Sequence, residues 1–198
     1  QLTSTSISAR TVYITVSSKV VTLCEVQIFS DTSTNVAIGQ QFVQQSSTNH
    51  GGVASRAVDG NTNSNFSYGS CTHTIEGVSG WWCVDLQQLY YFNQIKIYNR
   101  QDRMYWGGLQ GFEIKTSSSG QCSGQGLQSA TSCYKDTTST IQSVYNVTGC
   151  NQGSSTSFSG RTVYVSTSDA LTLCEVEIFA DLAQCNTGYY NTSRSTCQ

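Results

Sequence analysis

The hydrophobic positions fall in short alternating runs. Val12, Ile14 and Val16, then Val26 and Ile28, place apolar side chains on every second position near the start of the chain. Val163 and Val165, then Val176 and Ile178, repeat that arrangement near its end. A period of two marks a strand with one buried face. In between, strand-like runs of about six residues alternate with Gly, Ser and Asn turns, and no stretch carries a convincing helical period. The chain has no proline, so its turns must rest on Gly, Asn, Asp and Ser. The pattern predicts an all-β protein.

The paired runs also form a repeat. Residues 10–31 read RTVYITVSSKVVTLCEVQIFSD and residues 161–181 read RTVYVSTSDALTLCEVEIFAD, aligned by one single-residue gap. The copies lie roughly 150 residues apart, the size of one domain. Residues 1–31 are read as the last hairpin of a preceding domain, and residues 35–182 as one complete domain. The other reading makes the first hairpin an extra edge pair of the same domain. The tail, 183–198, is different: Cys185 and Cys197 bracket a Gly-Tyr-Tyr turn. It is similar to the opening of an EGF-like or other small cysteine-rich module, which would make the parent protein a mosaic of extracellular modules.

Composition narrows the function. The chain has 198 residues, enough for one core of about 150 residues with extra pieces. Charged residues make up 11% and the net charge is −2. A nucleic-acid binder would carry a basic stripe, and a disordered tail would carry more charge. Nine cysteines without a Cys-x-x-Cys pair, beside only two histidines, argue against zinc and for disulfides in an oxidising compartment. Asn-x-Ser/Thr triplets at Asn65, Asn146 and Asn191 fit a secretory route to the cell surface or beyond. No run of 18 apolar residues spans a bilayer. No signal peptide is visible, and the chain starts at Gln1 in mid-pattern, as a mature, trimmed or fragmentary product would. The residues form no nucleophile elbow, zinc motif or carboxylate dyad, so no enzyme is expected. The Gly-rich run from Gly120 to Gly126 lacks a phosphate-binding context.

From Asn35 the chain reads NVAIGQQFVQQSSTNHGGVASRAVDGNTNSNFSYGSCTHT, followed by GWWCVDL (80–86), IKIYNRQD (95–102), GFEI (111–114) and LCEVEIF (173–179). Through NVA-x-G, AVDGN, SCTHT, WW-x-VDL and CEVE in that order, this stretch resembles the F-type lectin (fucolectin) family along the whole central domain. The resemblance implies an antiparallel eight-stranded β-sandwich, a jelly roll of the galactose-binding-domain type. Its expected core is Trp81 or Trp82 with Val84, Leu86, Ile95, Ile97, Phe112 and Ile114.

The resemblance also implies a structural Ca2+ ion. Carried over, its ligands are the side chains of Asp59, Asn61, Ser70 and Glu175 with the carbonyls of Arg56 and Cys174. Six to eight oxygens of mixed type suit a hard cation. An EF-hand reading of Asp59, Asn61 and Asn63 fails, because Ser64 stands where the turn needs Gly and Ser70 where it needs Glu. An ordinary Asx turn is the other reading. The family joins Cys71 to Cys174, and many relatives join the equivalents of Cys133 and Cys150. Cys83 and Cys122 then pair by elimination, and Cys185 and Cys197 are counted as bonded. Cys24 is the repeat equivalent of Cys174, so its partner is expected in the missing domain.

The family recognises fucose through His, twenty-six intervening residues, Arg-x-Asp, four residues, and Arg or Lys. Here His73 is followed at that spacing by Arg100-Gln101-Asp102. Guanidinium and imidazole donors fork onto sugar oxygens, Asp102 holds Arg100, and Phe66 stands where the family places a stacking aromatic. The second basic residue is gone: Gly107 holds its place. The family's two adjacent cysteines are replaced by Arg103 and Met104, in a loop one residue longer than usual. Arg103 could restore the charge, with Tyr105 or Trp106 as a platform. The reading is a calcium-stabilised module for fucosylated or related glycans, weak per site and strengthened by other copies or neighbouring modules. The alternative is a structural or adhesive repeat of an extracellular filament, coat or matrix, in which His73 and Arg100 persist as structural hydrogen-bonders.

Overall fold

The computed structural model describes residues 34–102, 109–152 and 158–182. The chain divides into two units, Gln1–Asp31 and Thr32–Gln198. Every described residue belongs to the second. The first hairpin, Cys24, Arg103, Trp106, Cys185, Asn191 and Cys197 lie outside the described residues.

Eight described strands follow in order: β1 (Thr34–Asn35), β2 (Val43–Gln45), β3 (Trp81–Tyr98), β4 (Glu113–Ser117), β5 (Thr131–Lys135), β6 (Val144–Val147), β7 (Ser159–Ser166) and β8 (Glu175–Leu182). All pairings are antiparallel. β3 is the spine. Its first half pairs with β2 and β7, and β7 continues through β4 to β5. Its second half pairs with β6 and β8, and β8 carries β1 on its far edge. One long strand therefore joins both sets of partners into a single eight-stranded sheet, and its pairing with β7 shifts register between Asp85 and Tyr90, where pairing with β8 begins. Gln87 stands there with φ 65°, a left-handed conformation uncommon for a non-glycine residue.

The core lies between the two layers into which this one sheet folds. Trp82, Val84, Ile95, Ile97, Phe112, Ile114, Val163, Val165, Val176 and Ile178 are fully buried. Trp81 is only half-buried, so Trp82 is the core member of the pair. The first half of β3 does not alternate, since Trp82 through Leu86 are all buried. Its outer face is covered by the segment around residues 119–126, held in several ways. Cys83 is bonded to Cys122, Thr162 Oγ1 donates to the Ser119 carbonyl at 2.5 Å, and Tyr164 Oη donates to the Gln121 carbonyl. Gly120 lies under the Arg161 guanidinium, and Gly126 packs against the Gln121 carbonyl and the Tyr164 hydroxyl, where a Cβ would collide. Close approach is thus what these glycines serve. A short helix, α1 (Gly124–Ser129), sits in this segment. Its sequence has two glycines and no helical pattern, but the Ser123 hydroxyl caps it by accepting the Gly126 amide.

Candidate functional site

Five consecutive buried residues, Ser70–Thr74, build the centre of the site. They run against residues 171–173 in a ladder half made of side chains. Thr72 donates its amide to the Leu173 carbonyl and its hydroxyl accepts the Leu173 amide. Thr74 does the same with Leu171. His73 Nδ1 meets Thr172 Oγ1 at 2.7 Å. The alternating threonines of SCTHT are therefore the means by which this segment pairs with Leu171-Thr172-Leu173.

A second loop holds His73 from the other side. The His73 amide donates to the Gly52 carbonyl, and the Asn49 amide donates to the His73 carbonyl, both at 2.9 Å. Gly52 lies so close to the His73 backbone that no Cβ fits. Gln45 Nε2 ties the loop by donating to the Gly52 carbonyl at 2.8 Å. The loop sets His50, at φ 48°, beside His73 with ring centres 5.7 Å apart. The chain's two histidines thus meet. His50 was not anticipated from the sequence; the only local hint is the His-Gly-Gly run that makes the tight approach possible.

Phe66 sits in a 3-10 turn over Phe66–Tyr68, capped by Asn65 and ended by Gly69 at φ 72°. Its ring meets His73 edge-on at 5.6 Å and lies under Arg100, whose Cζ is 4.6 Å from the ring centre. Arg100 Nε and Nη2 fork onto the two carboxylate oxygens of Asp102. Hence His73, Phe66, Arg100 and Asp102, drawn from two distant stretches, form one cluster. Burial and then the Arg100 charge hold His73 below its ordinary pKa. The hydrogen bond from Arg100 holds Asp102 low. At neutral pH the cluster is a neutral imidazole, a fixed guanidinium and its carboxylate. His73 and Arg100 are 6% and 9% exposed. A cavity of about 300 Å³ lined by Leu89, Thr116, Ser129, Thr131 and Gly160 involves none of these residues.

The acidic loop adjoins this cluster. Asp59, Asn61, Asn63 and Asn65 each accept, through Oδ1, the amide two residues on, at 2.9–3.2 Å. Glu175 is fully buried, and both its oxygens receive the Gly60 amide at 3.2–3.3 Å. Among the described residues no basic side chain pairs with it. Burial, followed by the negative charges of Asp59 and Glu177, pushes Glu175 up to about 8. Ser70 Oγ donates to the Asn65 carbonyl at 2.9 Å, leaving its oxygen lone pairs available. Cys71 is bonded to Cys174, and Arg56 Nη1 donates to the Cys71 carbonyl at 3.2 Å. A fully buried carboxylate with no basic partner among the described residues, close enough to Asp59 to feel its charge, is a group a hard cation fits. Cys133 is bonded to Cys150, closing β5 onto the loop after β6.

Residues 56–166 match the family model described as NedA-like, galactose-binding domain. Fucolectin-4 of Anguilla japonica is 55% identical over 49 residues, which are 25% of this chain and 27% of that protein. The chain thus spans about a quarter of that relative's length. A mutant of the lectin binding domain of Lectinolysin, complexed with Lewis b, superposes with TM-score 0.62 at 30% identity, covering 75% of this chain and 96% of that one. The serum fucolectin of Morone saxatilis gives TM-score 0.63 at 33% identity, covering 75% of this chain and 49% of that one. With the sandwich and the motif order, these likenesses place the chain in the NedA-like galactose-binding-domain family, as an F-type lectin (fucolectin) domain.

Proposed function

We infer that the domain is an extracellular, calcium-stabilised carbohydrate-binding module of fucose-binding ancestry, altered at the third basic position. The single observation behind this is the cluster in which Arg100 is forked by Asp102 and lies over Phe66, with His73 at the ring's edge. A sugar is uncharged but rich in oxygen, and a guanidinium held by a carboxylate offers donors in fixed directions. Solved relatives are complexed with Lewis b or described as fucose binding modules. Three disulfides among the described residues fit an oxidising, extracellular setting. No described helix is long and apolar enough to cross a membrane.

The residues proposed to hold Ca2+ are Asp59, Asn61, Ser70 and Glu175, with the carbonyls of Arg56 and Cys174. The ion would supply the positive charge that buried Glu175 otherwise lacks. A second reading, a structural or adhesive repeat with a degenerate pocket, is favoured by the near-complete burial of His73 and Arg100. A glycan array decides between them. Binding that free fucose abolishes supports the lectin, whereas no glycan binding together with homopolymers seen by electron microscopy supports the structural repeat.

A further inference from the structure

We propose that Asn65 carries an N-linked glycan that masks the sugar site on the same domain. This rests on the sugar-binding reading of the His73–Arg100 cluster. Asn65-Phe66-Ser67 is an acceptor triplet, and its middle residue is the aromatic that touches both His73 and Arg100. An attached glycan would therefore leave the backbone one residue from the cluster.

The local geometry suits the modification. Asn65 caps its turn through oxygen: Oδ1 accepts the Ser67 amide at 3.0 Å. Glycosylation uses the other atom, Nδ2. The donor is an oligosaccharide joined to a lipid diphosphate in the secretory compartment. Nδ2 forms a bond to the sugar C1, the bond from C1 to the diphosphate oxygen breaks, one Nδ2 proton is lost, and the lipid diphosphate leaves. No electron changes hands, and Oδ1 still accepts the Ser67 amide afterwards. The product keeps the cap, the turn and Phe66 where they stand. Asn65 is half-buried, but its capping hydrogen bond is exposed and Ser67 and Tyr68 beside it lie at the surface, so the turn is open to solvent where a glycan would attach.

Asn146 provides an internal comparison. Its triplet starts on β6 and ends just past it, its side chain is exposed, and its register partner is Lys96 rather than any member of the cluster. A glycan at that position has no route to masking through Phe66.

The test uses the full chain secreted from eukaryotic cells. Peptide mass spectrometry reads occupancy at Asn65, and an array of fucosylated glycans reads binding for the wild type, for S67A and for T148A. S67A removes the acceptor triplet while leaving the Asn65 cap intact, because the cap uses the Ser67 backbone amide. The expected result is an occupied Asn65, a severalfold gain in binding for S67A and for enzymatically deglycosylated wild type, and no gain for T148A. An unmodified Asn65 overturns the proposal. So does equal binding by wild type and S67A, which leaves the lectin reading standing. Absence of binding by every form overturns masking together with the lectin reading.

Discussion

Cys71 and Cys174 stand 103 positions apart in the sequence and are joined by a disulfide, so Ser70 and Glu175, their chain neighbours, flank one covalent link. The bond closes most of the domain into a single loop. For a loop near that length the chain-entropy model gives about 4 to 5 kcal/mol of stabilisation. Replacing both cysteines by alanine should lower the melting temperature by roughly 2–4 °C per kcal/mol lost at this size. It should also weaken any cation bound between Ser70 and Glu175. Calorimetry with and without added calcium checks both; an unchanged melting temperature would count against the closure argument.

The strands near the end of the chain were readable from their alternation, because Val163, Val165, Val176 and Ile178 all face the core. The alternation hid one thing. Tyr164 and Cys83 are buried too, since the 119–126 segment covers the outer face, and only the disulfide to Cys122 hints at that cover. The unbroken run of β3 from Trp81 to Tyr98 was not legible either. Its middle holds exposed Gln87, Gln88 and Leu89, where the apolar pattern breaks, and pairing with β7 and β8 on either side carries the strand through them. At the site, the spacing between His73 and Arg100 is matched by their common contact with Phe66. His50 and Gln45 were missed because they reach His73 through a loop whose path depends on tertiary hydrogen bonds.

Gly52 and Gly126 separate stability from binding. A Cβ at Gly52 collides with the His73 backbone, and one at Gly126 with the Gln121 carbonyl. Both G52A and G126A should cost about 1–3 kcal/mol, the usual range for overpacking. Only G52A disturbs the loop that holds His73, so only G52A should also weaken sugar binding by the folded protein. Thermal melts paired with glycan titrations read the two effects apart; equal binding by both variants would detach the 49–52 loop from the site.

Arg100 is held by a fork rather than by a point charge. Lysine cannot reproduce two parallel N–H bonds to Asp102. R100K should therefore lose roughly tenfold or more in sugar affinity, since hydrogen bonds to charged groups contribute about 1.5–3 kcal/mol each. Titration calorimetry against a fucosylated oligosaccharide measures it, and a variant binding as well as wild type would remove Arg100 from the ligand contact.

The pH dependence of binding follows from the same cluster. His73 is held below its ordinary 6.5 by burial and by Arg100, so it stays neutral as pH falls through that value. Asp102 is held below the ordinary carboxylate range by its hydrogen bond from Arg100, so the fork survives further acidification. Sugar affinity should stay level from pH 8 down through 6.5, and decline only at lower pH as His73, then Asp102, take up protons. A binding midpoint at or above 6.5 would place the controlling proton elsewhere.

Glu175 gives the opposite slope, in stability rather than binding. Its carboxyl is pushed from 4.5 up to about 8, by burial first and by Asp59 and Glu177 after it. In the metal-free protein, the folded state holds a proton between those two values that the unfolded state has released. Stability from this group is therefore fully present below 4.5 and drains away as pH rises towards about 8. E175Q keeps the shape without the proton, so the metal-free variant should lack this loss, and the difference between the two melting curves isolates Glu175 from His73 and Asp102. Calcium should flatten the wild-type curve, because a bound cation stabilises the ionised carboxylate. At a calcium concentration 100-fold above Kd the gain is about 2.7 kcal/mol. E175Q, lacking that charge, should gain far less. Differential scanning calorimetry across pH 5–8, with chelator and with calcium, reads all four arms, each arm being a melting temperature. Equal response of wild type and E175Q to calcium would remove Glu175 from the ion's ligands.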